Sequence, residues 1–213
     1  MILDVCGSTN EEARKAIAFG CPEGYWVSAR EQQLGRGRFG KVWESPRGNI
    51  YLSYVTRHVS TFLPLQGALA VCGLLEPLGL VPKIKWPNDV YLEGQKCAGI
   101  LCEAIGGAAI IGIGVNCVRQ ERMNLEALLG DVDIDVLRLE LVRQLDVWVQ
   151  RDVLADYEKR SLLKLGDAIT WQDNGLQTGT VQGLGAEGEL IVLTQDIMRH
   201  LRSQEIHQVR AVS

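Results

Sequence analysis

The stretch best suited to chemistry is QQLGRGRFGKVWESPRGN (32–49), where glycines alternate with arginines before an aromatic residue and a Ser-Pro turn. Glycine tolerates backbone conformations that other residues avoid, so this segment can fold around a ligand. Arg36 and Arg38 are two residues apart, which places both on one side of an extended backbone. Residues 30–47 carry five cationic and two anionic side chains, a local charge of +3 in a chain of net charge −4. We therefore expect a flexible cationic loop that closes over a small anion.

Two other interpretations of this loop were weighed against the sequence around it. GRGRFG (35–40) fits the G-x-G-x-x-G pattern of dinucleotide sites, and so does GLGAEG (183–188). Neither is followed by a helix-forming sequence, which a pyrophosphate site of that kind requires, so we reject that interpretation. An RNA-binding patch stays an alternative, but only Phe39 and Trp43 interleave with the charges and the chain is acidic overall.

A second group of polar residues surrounds the Trp-Pro corner of KIKWPNDV (83–90). Pro87 cannot donate to a β-ladder and disfavours helix before it, so a strand ends here and Asp89 stands at a sheet edge. A carboxylate in that place suits a cation or a nucleotide-bound magnesium ion. Asn88 and Asp89 are also ordinary residues of a strand-ending turn, which is the simpler alternative. Lys96 stands just before the apolar run CAGIL, and two interpretations are open. Either the strand holds the lysine at low solvent exposure, or it is an ordinary solvated lysine of a hairpin.

Ser8-Thr9-Asn10 opens a predicted helix that runs to about Gly20. Ser8 with Glu11, and Thr9 with Glu12, each fit a capping box. A helix N-terminus also offers backbone donors to polar ligand groups, so the cap and a binding role are compatible.

The remaining elements must bring these segments together. Strands are predicted at 2–5, 25–29, 50–59, 83–86 and 108–116, with a hairpin over 90–104 that turns near Glu93-Gly94. The nearly continuous apolar run at 108–116 indicates a central strand buried on both faces. Further helices are predicted from Pro64 to Gly79 and, in two pieces, from Asp133 to about Arg160. After Leu165 the short segments AITW, LQTGTVQGL, GELIVLT and EIHQVRAV predict a small barrel.

Composition excludes several classes of protein. The chain has 213 residues, and no apolar run approaches the roughly 18–20 residues of a membrane helix. No secretory leader opens the sequence, so we expect a cytoplasmic protein. The six cysteines form no C-x-x-C pair, and reduced core thiols are favoured over zinc ligation. The three histidines are scattered and are assigned no chemistry.

Six segments, taken in order, resemble biotin protein ligase: STN (8–10), QQ-x-GRGR-x-G (32–40), W-x-SP-x-GN-x-Y-x-S (43–53), KWPND (85–89), K-x-AGIL-x-E (96–103) and GIGVN (112–116). The resemblance implies an α+β fold with two domains. The first, 1–163, would be a catalytic biotin- and ATP-binding domain with a mixed β-sheet flanked by helices, like the class II aminoacyl-tRNA synthetases. The second, 164–213, would be a small SH3-like β-barrel.

The implied reaction joins biotin and ATP as biotinyl-5′-AMP, then passes the biotinyl group to a lysine of a biotin carboxyl carrier protein. Arg38, Lys96 and Asp89 would be catalytic, and Asp89 would also hold Mg²⁺. The resemblance implies a biotin site of Ser8, Thr9, Asn10, Gln32, Gly35, Arg36, Gly37, Arg38, Lys96, Gly112 and Gly114. It implies an ATP site of Arg36, Arg38, Trp43, Lys85, Asn88, Lys96 and Asn116, with 117–124 as a second mobile loop.

Partners and rival functions follow from the same resemblance. Seven residues precede Ser8, so we expect no DNA-binding helix-turn-helix, and no membrane partner is expected either. An exposed sheet edge could support a homodimer, which the sequence does not locate. A lipoate-protein ligase is the nearest enzyme alternative. A protein that only sequesters biotin is another, although every charged position of the motifs is present.

Overall fold

A computed structural model of the chain describes residues 1–118, 124–173, 175–203 and 207–211. Within these ranges seven strands form one sheet, in the order β1-β2-β3-β7-β6-β5-β4. The pairing of β1 with β2 is parallel and the other pairings are antiparallel, so the sheet is mixed, as predicted. The strands are β1 (Ile2–Cys6), β2 (Trp26–Gln32), β3 (Ile50–Thr56), β4 (Lys83–Lys85), β5 (Asp89–Leu92), β6 (Gln95–Ile105) and β7 (Ala108–Val115).

The predicted central strand and hairpin are confirmed. β7 is the fourth of the seven strands and pairs with β3 on one side and β6 on the other. Its inner residues from Ala108 to Ile113 are buried. β5 and β6 are joined at Glu93 and Gly94, whose φ angles of 47° and 76° give the left-handed turn that suits a two-residue hairpin.

Helices cover both faces of this sheet: α1 (Thr9–Ala18), α2 (Leu63–Leu75), α3 (Leu125–Leu129), α4 (Ile134–Trp148) and α5 (Leu154–Arg160). α1 packs through Ala13 onto Val27, Val55 and Ile110. α2 is buried almost all round, because the sheet lies on one side of it and α4 on the other. The predicted spacing of Leu137, Leu141, Leu145 and Trp148 is the buried stripe of α4.

The predicted capping boxes of α1 are wrong. Ser8 occupies the N-cap position with an extended backbone, but its side chain makes no capping hydrogen bond. The carboxylates that would close the boxes are used elsewhere, since Glu12 pairs with Lys15 at 2.8 Å and Glu11 with Arg14 at 3.6 Å. The sequence rule weighs only local donors and acceptors, whereas these side chains have basic neighbours one turn along the helix.

The C-terminal part forms a second, antiparallel sheet in the order β11-β10-β9-β8-β12. Its strands are β8 (Ala168–Gln172), β9 (Leu176–Leu184), β10 (Leu190–Thr194), β11 (Ile197–Leu201) and β12 (His207–Ala211). GLGAEG (183–188) begins in the last two residues of β9, and its remaining residues lie between β9 and β10, which confirms that it contains the turn between these strands. The described strands show no pairing of β11 with β12, so closure into an SH3-like barrel stays a prediction. The division at 163/164 also stays a prediction.

The second sheet packs closely against the first. Trp86 Nε1 donates to the carbonyl oxygen of Gly188 at 3.0 Å. Trp171 and Val192 of the second sheet belong to the same buried cluster as Leu69 of α2. The corner at Trp86 is therefore held between both sheets, which fixes the start of the segment that carries Asn88 and Asp89. None of the helices in the described ranges has the length and apolar character needed to cross a membrane.

The cysteines are free thiols, as predicted. Burial raises the pKa of Cys97 to about 12 and that of Cys117 to about 12, and it raises the pKa of Cys72 as well. Because the thiolate is the reactive form, we expect these three cysteines to resist iodoacetamide at pH 8 in the native protein. The half-buried Cys21 is the internal control and should be alkylated. Peptide mapping by mass would contradict this if Cys72 were modified as fast as Cys21 before denaturation.

Candidate active site

One cavity of about 590 Å³ collects the predicted site residues. It lies where the start of α1, the end of β2, the 35–45 loop and the Trp86 corner converge on β6 and β7, with β12 closing one side. Of the predicted set only Gly35 does not line it. The structure brings together Ser8, Thr9, Asn10, Gln32, Arg36, Gly37, Arg38, Trp43, Lys85, Asn88, Asp89, Lys96, Gly112, Gly114 and Asn116.

One end of the cavity is lined by uncharged polar side chains held in a hydrogen-bond chain. The Oε1 atom of Gln32 accepts from the backbone N–H of Thr9 at 2.8 Å and lies 3.1 Å from the Thr9 hydroxyl. Gln32 Nε2 donates to Ser45 Oγ at 3.0 Å, and Ser45 in turn donates to the carbonyl of Trp43 at 2.8 Å. Sequence reasoning missed Ser45, whose serine-proline turn gave no sign of this contact.

Asn10 is the next member of this polar end, and it is buried. Its Nδ2 atom donates to Glu103 Oε2 at 2.6 Å, and its Oδ1 atom lies 2.6 Å from Ser53 Oγ. Gly112 on β7 lies directly against this amide, because a Cβ atom there would overlap Asn10 Oδ1. Ser53 and Glu103 were quoted in the sequence motifs but were given no role, since a contact across the sheet leaves no local pattern.

Positive charge gathers at the other end. Arg38 Nη1 donates to Asn88 Oδ1 at 3.0 Å, and Arg38 Nη2 donates to the carbonyl oxygen of Ser203. Burial lowers the pKa of the Arg38 guanidinium, and the Asp89 carboxylate opposes that shift. Burial likewise lowers the pKa of Lys85, again opposed by Asp89. Lys96 Nζ lies 2.6 Å from Asp89 Oδ1.

The two arginines of the loop have different partners. Arg36 is more than half exposed and lies 3.5 Å from Glu11 of α1, whereas Arg38 is turned inward onto Asn88. Both line the cavity, as the two-residue spacing predicted. Arg36 is therefore the more solvent-exposed of the two cations.

Trp43 lies across the floor of the cavity. A Cβ atom at Gly99 would stand 3.0 Å from its ring, and one at Gly114 would stand 2.5 Å from its Nε1 atom. The Lys96 ammonium is 5.1 Å from the ring centroid, within the range of a cation–π contact. Trp43 Nε1 is buried and has no hydrogen-bond partner among the described residues. Gly99 and Gly114, which have no side chains, leave the space that the indole ring of Trp43 occupies.

The loop itself folds back as a short hairpin. Gly35 accepts from Trp43 N at 3.0 Å, and Gly37 N donates to Lys41 O at 2.7 Å, around a turn in which Phe39 has a φ of 56°. Gly35 does not line the cavity. It is packed against the other strand of the hairpin so closely that a Cβ atom there would overlap the Trp43 carbonyl and Ser45 Oγ. After the loop the chain continues to β3 and not into an α-helix, as the sequence predicted.

Some lining residues carried no signal in the sequence. These are Val209 and Arg210 of β12, which reach the cavity from the far end of the chain. Phe39, Lys41 and Gly99 lie in segments that the sequence singled out, but they were assigned no role, and they line the cavity as well. His58 and His200 lie outside it, in keeping with their having no assigned chemistry. Most of the second predicted loop, residues 119–123, lies outside the described residues.

The described residues contain no group of three or more His, Cys, Asp or Glu side chains that could hold a metal ion. Asp89, the predicted magnesium ligand, is already in an ion pair with Lys96. These side chains do not fit a magnesium ion held by the protein alone, and the assignment of Asp89 to a metal stays a prediction.

Comparison with known proteins identifies the class of enzyme. A family model described as "Biotin/lipoate A/B protein ligase family" matches residues 3–118. The biotin--[acetyl-CoA-carboxylase] ligase of Mycobacterium tuberculosis is 34% identical over 181 residues, covering 73% of this chain and 68% of that one. The chain therefore belongs to the biotin/lipoate A/B protein ligase family.

Solved structures agree over the whole chain. The biotin protein ligase of Aquifex aeolicus in complex with biotin and ATP superimposes with a TM-score of 0.86 at 26% identity, covering 100% of this chain and 98% of that one. The ligase of Leishmania major in complex with biotinyl-5-AMP gives a TM-score of 0.69 at 25% identity, covering 94% and 97%. Within the family, this chain is a biotin protein ligase, a ligase enzyme.

Proposed function

We propose that this chain joins biotin to ATP as biotinyl-5′-AMP and then transfers the biotinyl group to a lysine of a biotin carboxyl carrier protein. The observation that carries the proposal is that one cavity is lined by two sets of connected side chains, an uncharged polar set around Asn10 and Gln32 and a charged set around Arg38 and Lys96. Relatives with biotin and ATP, and with biotinyl-5-AMP, support both halves of this assignment.

In the first step a biotin carboxylate oxygen attacks the α-phosphorus of ATP. A P–O bond forms, the bond to the β-phosphate oxygen breaks, and pyrophosphate leaves with the electron pair. Both reactants are anions, so the site must supply positive charge. An opposed pair of unit charges about 4 Å apart is worth roughly 1 kcal/mol in water and roughly 4 at an effective dielectric near 20. Arg38 and Lys96, partly withdrawn from solvent, therefore stabilise the charge that develops on the phosphorane.

In the second step the carrier's lysine amine attacks the acyl carbon, an amide bond forms, and AMP leaves with its oxygen. The amine must lose a proton, and Asp89 is the carboxylate at the cationic end that can accept it. The 2.6 Å contact with Lys96 holds Asp89 in place. Arg36, Trp43, Lys85, Asn88 and Asn116 complete the proposed nucleotide site.

Biotin would lie with its ureido ring at the polar end, in contact with Ser8, Thr9, Asn10 and Gln32. Gly112 and Gly114 would line the biotin site through the side chains they make room for, Asn10 and Trp43, and Gly37 lets the loop backbone approach. Magnesium would enter with the ATP phosphates, since these oxygens supply most of its ligands in such sites.

The proposed loop closure gives a prediction for hydrogen exchange. We expect residues 35–45 to exchange more slowly once biotin and ATP are added, because the loop closes over the adenylate and excludes water. Exchange measured by mass, peptide by peptide, checks this. β3 (50–56), buried in both states, is the internal control. Unchanged exchange over 35–45 with saturating ligands would contradict closure.

The proposed function is tested by incubating the protein with biotin, ATP, magnesium and a carrier domain and measuring the mass of the carrier. We expect one lysine to gain one biotinyl group. Pyrophosphate exchange that depends on lipoate in place of biotin would favour a lipoate ligase. Binding of biotin without exchange or transfer would favour a protein that only sequesters it. Salt-dependent binding of RNA in a filter assay would support the alternative that the glycine-arginine loop is an RNA-binding patch.

The finer features of the family resemblance are part of the proposal. These are closure of 164–213 as an SH3-like barrel, a cytoplasmic location and a homodimer through a sheet edge. The inward bond of Arg38 to Ser203 supports a role for the C-terminal part beside the cavity.

A further inference from the structure

Glu103, on β6, does not line the cavity, yet it accepts a hydrogen bond of 2.6 Å from the Asn10 amide. We propose that Glu103 is a positioning residue that fixes the orientation of the Asn10 amide and so makes the polar end of the cavity a donor to the bound ligand. The inference rests on the proposed function, because it concerns how biotin is selected at that end.

The orientation of Asn10 depends on Glu103 for a chemical reason. An ionised carboxylate accepts hydrogen bonds and donates none, so the amide nitrogen must face it. The other polar contact of Asn10 is the Ser53 hydroxyl, 2.6 Å from its Oδ1 atom. A hydroxyl both donates and accepts, so Ser53 would tolerate the amide in either orientation. Of these two contacts, only the one with Glu103 distinguishes between the two orientations of the Asn10 amide.

Arg14, on the same helix as Asn10, holds the other oxygen of the Glu103 carboxylate. Its Nη2 atom lies 3.1 Å from Glu103 Oε1, while the other carboxylate oxygen receives Asn10. The guanidinium holds the carboxylate in register with α1. Both side chains are about one-third exposed, so the pair is a hydrated support at the margin of the site.

The side-chain amide of Gln32, the second amide at the polar end, is oriented in the same way as that of Asn10, with its oxygen bonded to the protein. Gln32 Oε1 accepts from the backbone of Thr9, and its Nε2 atom donates to Ser45. Both amide oxygens are therefore used within the protein, and each nitrogen keeps one further N–H. An end that offers N–H groups selects a ligand with a carbonyl acceptor there, as the ureido group of biotin has.

Glu103→Gln tests this with little change in shape, because the new amide can face Asn10 with either its oxygen or its nitrogen. By isothermal calorimetry we expect biotin to bind about 5- to 10-fold more weakly, the effect of one lost or misdirected hydrogen bond. The ratio of the affinity for biotin to that for 2-thiobiotin should fall by a similar factor. 2-Thiobiotin keeps the carboxylate and an uncharged ring, but its C=S group accepts hydrogen bonds poorly. The kcat at saturating biotin and the KM for ATP should stay at wild-type values.

A double-mutant cycle separates positioning from a general structural effect. If Glu103 acts through Asn10, then Glu103→Gln should change biotin affinity little in an Asn10→Ala background. Glu12→Gln is the matched control, since it removes a carboxylate of α1 that pairs with Lys15 and does not line the cavity. Arg14→Gln keeps the Glu103 carboxylate but removes the guanidinium that holds it. We expect it to weaken biotin binding less than Glu103→Gln does. If Glu103→Gln does not fold, Arg14→Gln is the variant to measure instead.

The outcomes are distinguishable from failure of the proposed function. Wild-type protein that does not bind biotin would overturn the proposed function and the role of Glu103 with it. Wild-type protein that binds biotin, with Glu103→Gln binding and discriminating equally well, would overturn the positioning role alone. Additive effects of Glu103→Gln and Asn10→Ala would also overturn it.

Discussion

Replacing Arg38 with alanine is expected to reduce biotin-dependent pyrophosphate exchange by about 10²- to 10³-fold, the usual effect of removing one preorganised charge donor from a transition state. Arg38 is the cation of the loop that is turned inward, and burial lowers the pKa of its guanidinium, a shift that Asp89 opposes. Its removal also breaks the links to Asn88 and Ser203, so the loop loses its inner attachments. Any adenylate still formed should then escape into solution.

Arg47→Ala is the matched control for Arg38→Ala. Arg47 belongs to the same cationic segment, but it is half exposed, pairs with Asp4 at 2.7 Å and does not line the cavity. It should leave exchange close to wild type. Circular dichroism and thermal unfolding of both variants verify that the fold survives. Wild-type exchange in Arg38→Ala, with the adenylate retained on the enzyme, would refute the assignment.

The main sheet could be predicted because its strands carry their own signals. The run AAIIGIGV is apolar on both faces, and only a central strand of a covered sheet buries both. The turn at Glu93-Gly94 could be placed because glycine readily adopts the positive φ that it needs. Likewise, four apolar residues at helical spacing identify the buried face of α4.

What the sequence could not predict depends on contacts between distant segments. β11 was missed because Ile197, Met198, Arg199 and His200 are all exposed, so the strand has no alternation to recognise. Its turn at Gln195-Asp196 has positive φ angles at residues that are not the usual glycine or asparagine pair. The approach of β12 to the cavity has no local cause at all, since it is fixed by the packing of the second sheet against the first.

The candidate site was predicted more completely than the fold around it, for a related reason. Ligand-binding side chains cluster into recognisable segments, whereas the residues that support them are scattered. Asn10 and Gln32 lie in motifs, but their orientation depends on Glu103 and Ser45, whose role is visible only once β6 and the loop are in place. Gly35 is the converse case, a motif residue that serves the loop's own packing.

Replacing Gly112 with alanine is expected to weaken biotin binding by about 10- to 100-fold, equivalent to the roughly 1–3 kcal/mol that overpacking usually costs. The new methyl group would overlap Asn10 Oδ1, and β7 cannot move away because β3 and β6 hold it on both sides. Asn10 would have to leave its place between Ser53 and Glu103, and the donor aimed at the ligand would leave with it.

Calorimetry with biotin measures the effect of Gly112→Ala, and Gly7→Ala is the matched control. Gly7 precedes the same helix, but a Cβ atom there would meet only Leu34 Cδ1, at an ordinary 3.8 Å. The control should bind biotin as the wild type does. Because the clash is confined to the polar end, KM for biotin should rise in Gly112→Ala far more than KM for ATP. An equal rise in both, or unchanged biotin affinity, would mean that biotin is not held against Asn10 and that the polar end has another occupant.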